Sequence, residues 1–126
     1  MDLNQVTLPS RDVARAAEFY RRLGLLQIVE DLPKYARFEL PTGSATLSLE
    51  LSDGPLSSSG AVVYFECADL DARVANLRAL GIQIDGPNDE PWLWREARLA
   101  DPDGNVLCLY HAGPNRKNPP WRISGV

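Results

Sequence analysis

The stretch Asp101–His111 reads DPDGNVLCLYH, a tight turn opening directly onto a short run of alternating residues. Pro102 pre-sets its own backbone angle and Gly104 takes the last place, the arrangement a type I turn prefers. Behind the turn, NVLCLYH reads as a strand whose side chains alternate between two faces. Ahead of it, WLWREARLA reads as the strand that the turn joins to the next. The thiol of Cys108 stands in the middle of the later strand, where a ligand, a nucleophile or a small filler could each be placed.

Working outward from this hairpin, the chain is found to repeat itself. Val13, Ala16, Ala17, Tyr20 and Leu23 recur at helical spacing, and so do Leu70, Val74, Leu77 and Leu80. Asp12 and Asp69 stand where a carboxylate can cap the first turn, and Gly24 and Gly81 where a left-handed residue ends a helix. A constant offset of 57 residues carries Asp12 to Asp69 and Gly24 to Gly81, which marks an internal repeat. LLQIVE, KYARFEL and TLSLELS follow the first helix; IQI, WLWREARLA and NVLCLYH follow the second. Each half therefore reads strand–helix–strand–strand–strand, an α+β arrangement. The expected organisation is a single domain over residues 1–126, with module 1 at about 1–56 and module 2 at about 60–112. GPLSSSG, at 54–60, reads as a flexible joint, and 113–126 as a Pro-rich tail anchored by Trp121.

Composition narrows the function classes. A chain of 126 residues with 44% hydrophobic and 24% charged residues suits one soluble globular domain. No apolar run approaches the roughly 18 residues that cross a bilayer, and MDLNQVTLPSRD lacks signal-peptide character, so the expectation is a cytoplasmic protein with no membrane partner. Cys67 and Cys108 resemble no disulfide framework and read as free thiols. The net charge of −4 and the absence of a Lys/Arg stripe exclude nucleic acid as the natural partner. An acidic surface would favour a cationic small ligand. The single histidine, His111, makes a His-rich metal site impossible.

The helix ends EFYRRLGL and RALGI, and above all REARLADPDGNVLCLY, resemble the vicinal oxygen chelate superfamily of glyoxalase I, ring-cleaving dioxygenases, fosfomycin-resistance enzymes and bleomycin-resistance proteins. The resemblance covers residues 3–111. It implies two βαβββ modules whose mixed sheets curl into a concave cup with the helices outside. It also implies a homodimer, with cups often completed between chains.

Strand alternation then assigns the faces. Gln5 and Thr7, Thr46, Ser48 and Glu50, Val62, Tyr64 and Glu66, and Val106, Cys108 and Tyr110 look into the cup, with Arg37, Glu39 and Glu96. Val6, Leu8, Leu47, Leu49, Leu51, Leu107 and Leu109 turn to the helices. By the same resemblance, metal-dependent members carry a His or Gln seven residues before the capping Asp and a Glu seven residues after the Asp that opens the turn. Those positions hold Gln5, its repeat mate Val62, and Cys108, whose mate is Ser48 or Glu50. Valine coordinates nothing, and a glutamine carbonyl, a carboxylate and a thiolate differ in softness. The expectation is a cup without metal or other cofactor.

Cys108 as a nucleophile would need a lowered pKa, and His111, three residues along the strand, points to the other face. A small cup-lining filler is the plainer reading of this thiol. Trp92 and Arg95 match the Trp–Gly–x–Arg register of resistance-type members, while Leu93 stands where those have glycine. Trp92 and Trp94, one pleat apart, would form a stacking wall for a flat or cationic ligand, or else serve the core and a dimer seam. Arg95 shares a face with Ala97 and Leu99 and would tie its strand to the DPDG turn or a neighbour. The reading is a binder of a small organic, aromatic or cationic molecule through Gln5, Thr7, Arg37, Ser48, Glu50, Tyr64, Trp92, Trp94, Cys108 and Tyr110. The alternative is a divalent-metal lyase or isomerase of the glyoxalase type, with Gln5 and Glu50 as ligands and Glu50 moving the proton. A third is a module whose cup has no ligand.

Overall fold

The computed structural model describes residues 1–56 and 60–125. Ser57, Ser58 and Ser59 of the expected joint lie outside the described residues. In chain order the elements are β1 (Gln5–Ser10), α1 (Val13–Leu23), β2 (Leu26–Asp31), β3 (Tyr35–Glu39), β4 (Thr46–Leu51), β5 (Val62–Glu66), α2 (Leu70–Ala79), β6 (Asp85–Asp89), β7 (Arg95–Ala100) and β8 (Val106–His111). They form two βαβββ modules of one topology, with sheet orders β1-β4-β3-β2 and β5-β8-β7-β6. The first and last strands of each module run parallel, and neither sheet closes into a barrel. No helix among the described residues is long and apolar enough to cross a membrane.

By their contacts the residues divide into two compact units. Unit 1 comprises Met1–Ala61 with Ala100–Asn105, and unit 2 comprises Val62–Leu99 with Val106–Val126. The DPDGN turn, expected in module 2 by its place in the chain, thus belongs with unit 1. In unit 1 the buried face of α1, carrying Val13, Ala16, Ala17, Tyr20 and Leu23, meets Ala36, Phe38, Leu47 and Leu49 of the sheet. Asp12 caps α1 by accepting from the Arg15 amide at 3.1 Å, and Gly24 ends it at φ 110°.

The Tyr20 hydroxyl, fully buried, donates to Asp101 Oδ2 at 2.7 Å. Asp101 also accepts from the amides of Asp103 and Asn105 and from the Asn105 side chain, each at 2.9 Å. The turn closes with the Gly104 amide on the Asp101 carbonyl at 3.0 Å, the one-to-four bond expected of it. Asp103 and Asn105 then reach back to the Arg11 amide and the Pro9 carbonyl.

In unit 2, α2 contacts β6 and β8 and buries Leu70, Val74 and Leu77. Several expectations fail here for physical reasons. Asp69 makes no side-chain cap, and Leu80 is exposed, because the helix has already ended at that residue. The strand expected at IQI is displaced to Asp85–Asp89. Ile82 instead closes the helix end through its amide on Leu77, and both Ile82 and Ile84 are buried without joining the ladder. Asp-Gly-Pro-Asn-Asp has poor strand propensity and pairs with β7 through a register shift between Asp85 and Asn88. Gly86, at φ 103°, permits this, since a Cβ there would sit 2.7 Å from the Glu96 carbonyl. The strand expected from Trp92 starts only at Arg95, because Glu90–Trp94 form the turn into β7, with Leu93 left-handed at φ 68°. That is the position where the resemblance implied glycine. Trp121 is 56% exposed and is not buried in the core of this chain. Val6, expected in the core, lies on the edge strand β1 and is partly exposed.

Replacing Tyr20 by Phe should cost about 1.5–3 kcal/mol, because a buried charged acceptor loses its donor. The check is a urea titration, with the midpoint falling at unchanged slope. An unaltered midpoint would show that the bond contributes nothing.

Candidate functional site

Each sheet has a face turned away from its helix, and the two faces differ in chemistry. In unit 1 the register sets Gln5 beside Thr46, Thr7 beside Ser48, and Pro9 beside Glu50. Across β3 it sets Glu39, Arg37 and Tyr35 beside the same three β4 residues. This face is polar and largely occupied with itself. Thr46 Oγ1 donates to Gln5 Oε1 at 2.9 Å, Tyr35 and Ser48 share a 2.6 Å hydrogen bond, and Arg37 Nε donates to the Tyr35 hydroxyl at 2.9 Å. Ser48 is fully buried beneath this pair, whereas Gln5, Thr7 and Glu50 are exposed. Tyr35, two residues before Arg37 on the same strand face, is absent from the sequence reading, although alternation alone would have placed it there.

The equivalent registers settle which residue is the mate of Cys108. Val62 pairs with Val106 as Gln5 pairs with Thr46, so Cys108, two residues on, corresponds to Ser48 and not to Glu50. Gln5 and Glu50 are not brought together. Their strands are neighbours, but Glu50 lies four residues beyond the partner of Gln5, which is about 13 Å along the strand. Two oxygens on one divalent ion must each lie within about 2.6 Å of it, a spacing these positions do not allow. In unit 2 the corresponding positions hold Val62, with no donor, and Cys108. The residues of neither unit, taken by itself, fit a divalent ion. Among the described residues no group of three or more His, Cys, Asp and Glu side chains gathers as a metal site.

Unit 2 carries an aromatic face. Tyr64 pairs with Cys108 and Glu66 with Tyr110 across β5 and β8. Trp94 stacks on Tyr110 with ring centres 4.7 Å apart and planes at 20°. Tyr64 meets both edge-on, at 6.0 and 5.6 Å. Such pairs contribute about 0.5–1.5 kcal/mol each beyond their burial and hold the rings rigidly. Trp94 is further fixed by its indole N–H, which donates to the Asn115 carbonyl at 3.4 Å. Tyr110 is buried, Trp94 half-buried, and Tyr64 keeps 43% of its surface exposed, so the cluster ends in an open ring. Burial and the adjacent Glu66 carboxylate push the Tyr110 hydroxyl up from its ordinary pKa.

Beside this cluster lies a residue to which the sequence reading gave no role. Glu96, only 4% exposed, accepts from the Trp92 indole at 2.7 Å, from Arg98 at 3.3 Å and from the Cys108 thiol at 3.7 Å. Arg98 also donates to the Tyr64 hydroxyl at 3.3 Å. Glu96 was legible as inward-facing by alternation. Its function was not, because nothing in the sequence says that Trp92 folds back four residues to meet it. Trp92 stands in the turn, bound to Glu96, and Trp94 belongs to the tyrosine cluster. Arg95, on the opposite strand face, ties its strand to a neighbour, pairing with Asp71 of α2 and Asp89 of β6, both at 3.0 Å.

Cys108 is fully buried, and burial, then Glu96, push its thiol up to about 12. A thiolate is unavailable near neutrality, and His111 lies 3.8 Å from Glu66, not beside the sulfur.

Two repeated βαβββ modules, one with a polar and one with an aromatic sheet face, define a paired-module protein built to present side chains from strands. The model of the Glyoxalase/Bleomycin resistance protein/Dioxygenase superfamily matches residues 2–109, and the chain belongs to that superfamily. Among solved structures, a bleomycin-binding protein complexed with bleomycin is similar at 27% identity and TM-score 0.72, over 88% of this chain and 98% of that one. A transposon-encoded bleomycin resistance determinant is similar at 28% identity and TM-score 0.74, again over 88% and 98%. A lactoylglutathione lyase from Agrobacterium tumefaciens shares the fold at 21% identity and TM-score 0.71, over 87% of this chain and 92% of that one. No curated protein sequence matches the chain.

Alkylation with iodoacetamide near pH 8 should modify half-buried Cys67 slowly and leave Cys108 intact until denaturant is added, as peptide mass mapping would reveal. Rapid native labelling of Cys108 would contradict the raised thiol and reopen the nucleophile.

Proposed function

We propose that the protein binds a small aromatic molecule on the aromatic face of unit 2, without a metal and without chemistry on the ligand, as a homodimer in the cytoplasm. The observation that carries this reading is the rigid Trp94–Tyr110–Tyr64 cluster, stacked within itself yet ending in the exposed Tyr64 ring. Rigid aromatic side chains ordered before the ligand arrives cost little entropy on binding and accept flat molecules by stacking. The chemistry needed for the alternative is poorly supplied. The Gln5 and Glu50 pair is separated along unit 1, and the Cys108 thiol of unit 2 is locked in its protonated form. The similarity to a bleomycin-binding protein agrees with a binder, while that to a lactoylglutathione lyase extends to the fold alone.

The test is a titration with 2-naphthalenemethanol, followed by proton–nitrogen NMR of the indole groups, on protein purified without chelator. The expected result is a saturable shift of the Trp94 indole signal, substoichiometric metal by mass spectrometry, and about tenfold weaker binding in Trp94→Ala. Stoichiometric divalent metal, lost together with a lyase or isomerase activity on Glu50→Ala, would replace the binder with the enzyme. Sedimentation as a single chain would remove the homodimer from the reading.

A further inference from the structure

The overall charge of the chain is −4, which taken alone points to a cationic ligand. The charges beside the aromatic face tell otherwise. Glu96 is buried and already accepts from Trp92, Arg98 and Cys108, so its oxygens are taken up within the fold. Glu66, also on this strand face, accepts the amides of Ala112 and Gly113 at 2.7 and 2.8 Å, with His111 and Arg116 close by. The Glu96 carboxylate and the Oε2 of Glu66 are thus occupied by the protein's own donors, and the Oε1 of Glu66 faces Arg116 at 3.9 Å.

Arg98 is the contrasting case. Its side chain is 46% exposed, and its Nη2 is fixed by both the Tyr64 hydroxyl and Glu96 at 3.3 Å. Its Nε and Nη1 have no hydrogen-bond partner among the described residues. The guanidinium is a planar fork of five donors, and the fixing of one nitrogen sets the direction of the others. It stands at the hydroxyl end of Tyr64, the exposed ring of the cluster. A flat molecule stacked there would bring a ring substituent to the remaining donors. Partial burial disfavours the charge, but the interactions with Tyr64, Cys108 and Glu96 outweigh it and hold the guanidinium protonated.

We infer that Arg98 selects the ligand: the aromatic face of unit 2 takes an aromatic carboxylate, with the ring against Tyr64 and the Trp94–Tyr110 stack and the carboxylate on the Arg98 guanidinium. Glu96 acts as the positioning residue that holds Arg98 and Trp92 in place. This inference rests on the binding reading above and names the class of molecule bound.

Three probes of one size test it, by the same indole NMR titration: 2-naphthoic acid, its methyl ester, and 2-naphthylmethylamine. The acid should bind about ten- to a hundredfold more tightly than the ester, the range expected of a charge-assisted pair, and the amine most weakly. The preference of acid over ester should weaken as salt is raised. In Arg98→Met the ratio of acid to ester affinity should collapse to about one, whatever the two absolute affinities become. In Glu96→Gln, which keeps an acceptor for Trp92, the ratio should fall part of the way. Equal binding of acid and ester, or preference for the amine, overturns the assignment to an anion while leaving the aromatic binder standing. A ratio that survives Arg98→Met overturns the role of Arg98. Failure of all three probes to shift the Trp94 signal overturns the binding reading itself.

Discussion

The buried carboxylate of Asp101 organises unit 1. Four hydrogen bonds converge on it, one from the Tyr20 hydroxyl of α1 and three from the turn it opens. A carboxylate 5% exposed would be costly if unpaired, so the turn can exist in this place only with those donors present. Burial and Asp101 together drive the Tyr20 hydroxyl far above its ordinary pKa, and it remains a donor under all ordinary conditions. Through Asp103 and Asn105 the same turn reaches the Arg11 amide and the Pro9 carbonyl, at the junction of β1 and α1. DPDGN is therefore an architectural motif. Asp101 and Asn105 spend their side chains on hydrogen bonds within the protein, and Asp103 binds the Arg11 amide through Oδ1 while its buried Oδ2 has no partner among the described residues.

The fold was legible because its signals are local and repeated. Helix periodicity, the Asp12 cap, Gly24 and the DPDG turn each have one cheap conformation, and the 57-residue offset let one half vouch for the other. Sequence reasoning failed where tertiary pairing overrode propensity. DGPND became β6 because β7 offered a ladder and Gly86 fitted beneath Glu96, not because those residues favour strands. Trp92 left the strand because a turn at Leu93 intervened. Alternation on β4, β5 and β8 placed Ser48, Tyr64, Cys108 and Tyr110 on one kind of face, which the registers reproduce. It could not say which of these would be buried beneath partners, as Ser48 is beneath Tyr35.

Cys108 illustrates the division between the two kinds of knowledge. From the sequence it was a substitution at a position where the resemblance implies a carboxylate. In the structure a carboxylate does stand near it, but on the neighbouring strand: Glu96 lies 3.7 Å from the sulfur and faces an indole and a guanidinium. The effect is a polar foot beneath an aromatic cluster, with the half-exposed Arg98 guanidinium at its edge.

The most direct measurement of this account is a crystal structure of the protein grown with 2-naphthoic acid. The account predicts the naphthalene ring against Tyr64 and Trp94, with the carboxylate oxygens within hydrogen-bond distance of Arg98 Nε and Nη1. A ring seated on the polar face of unit 1, or a metal ion held by Gln5 or Glu50 with the acid coordinated to it, would contradict it.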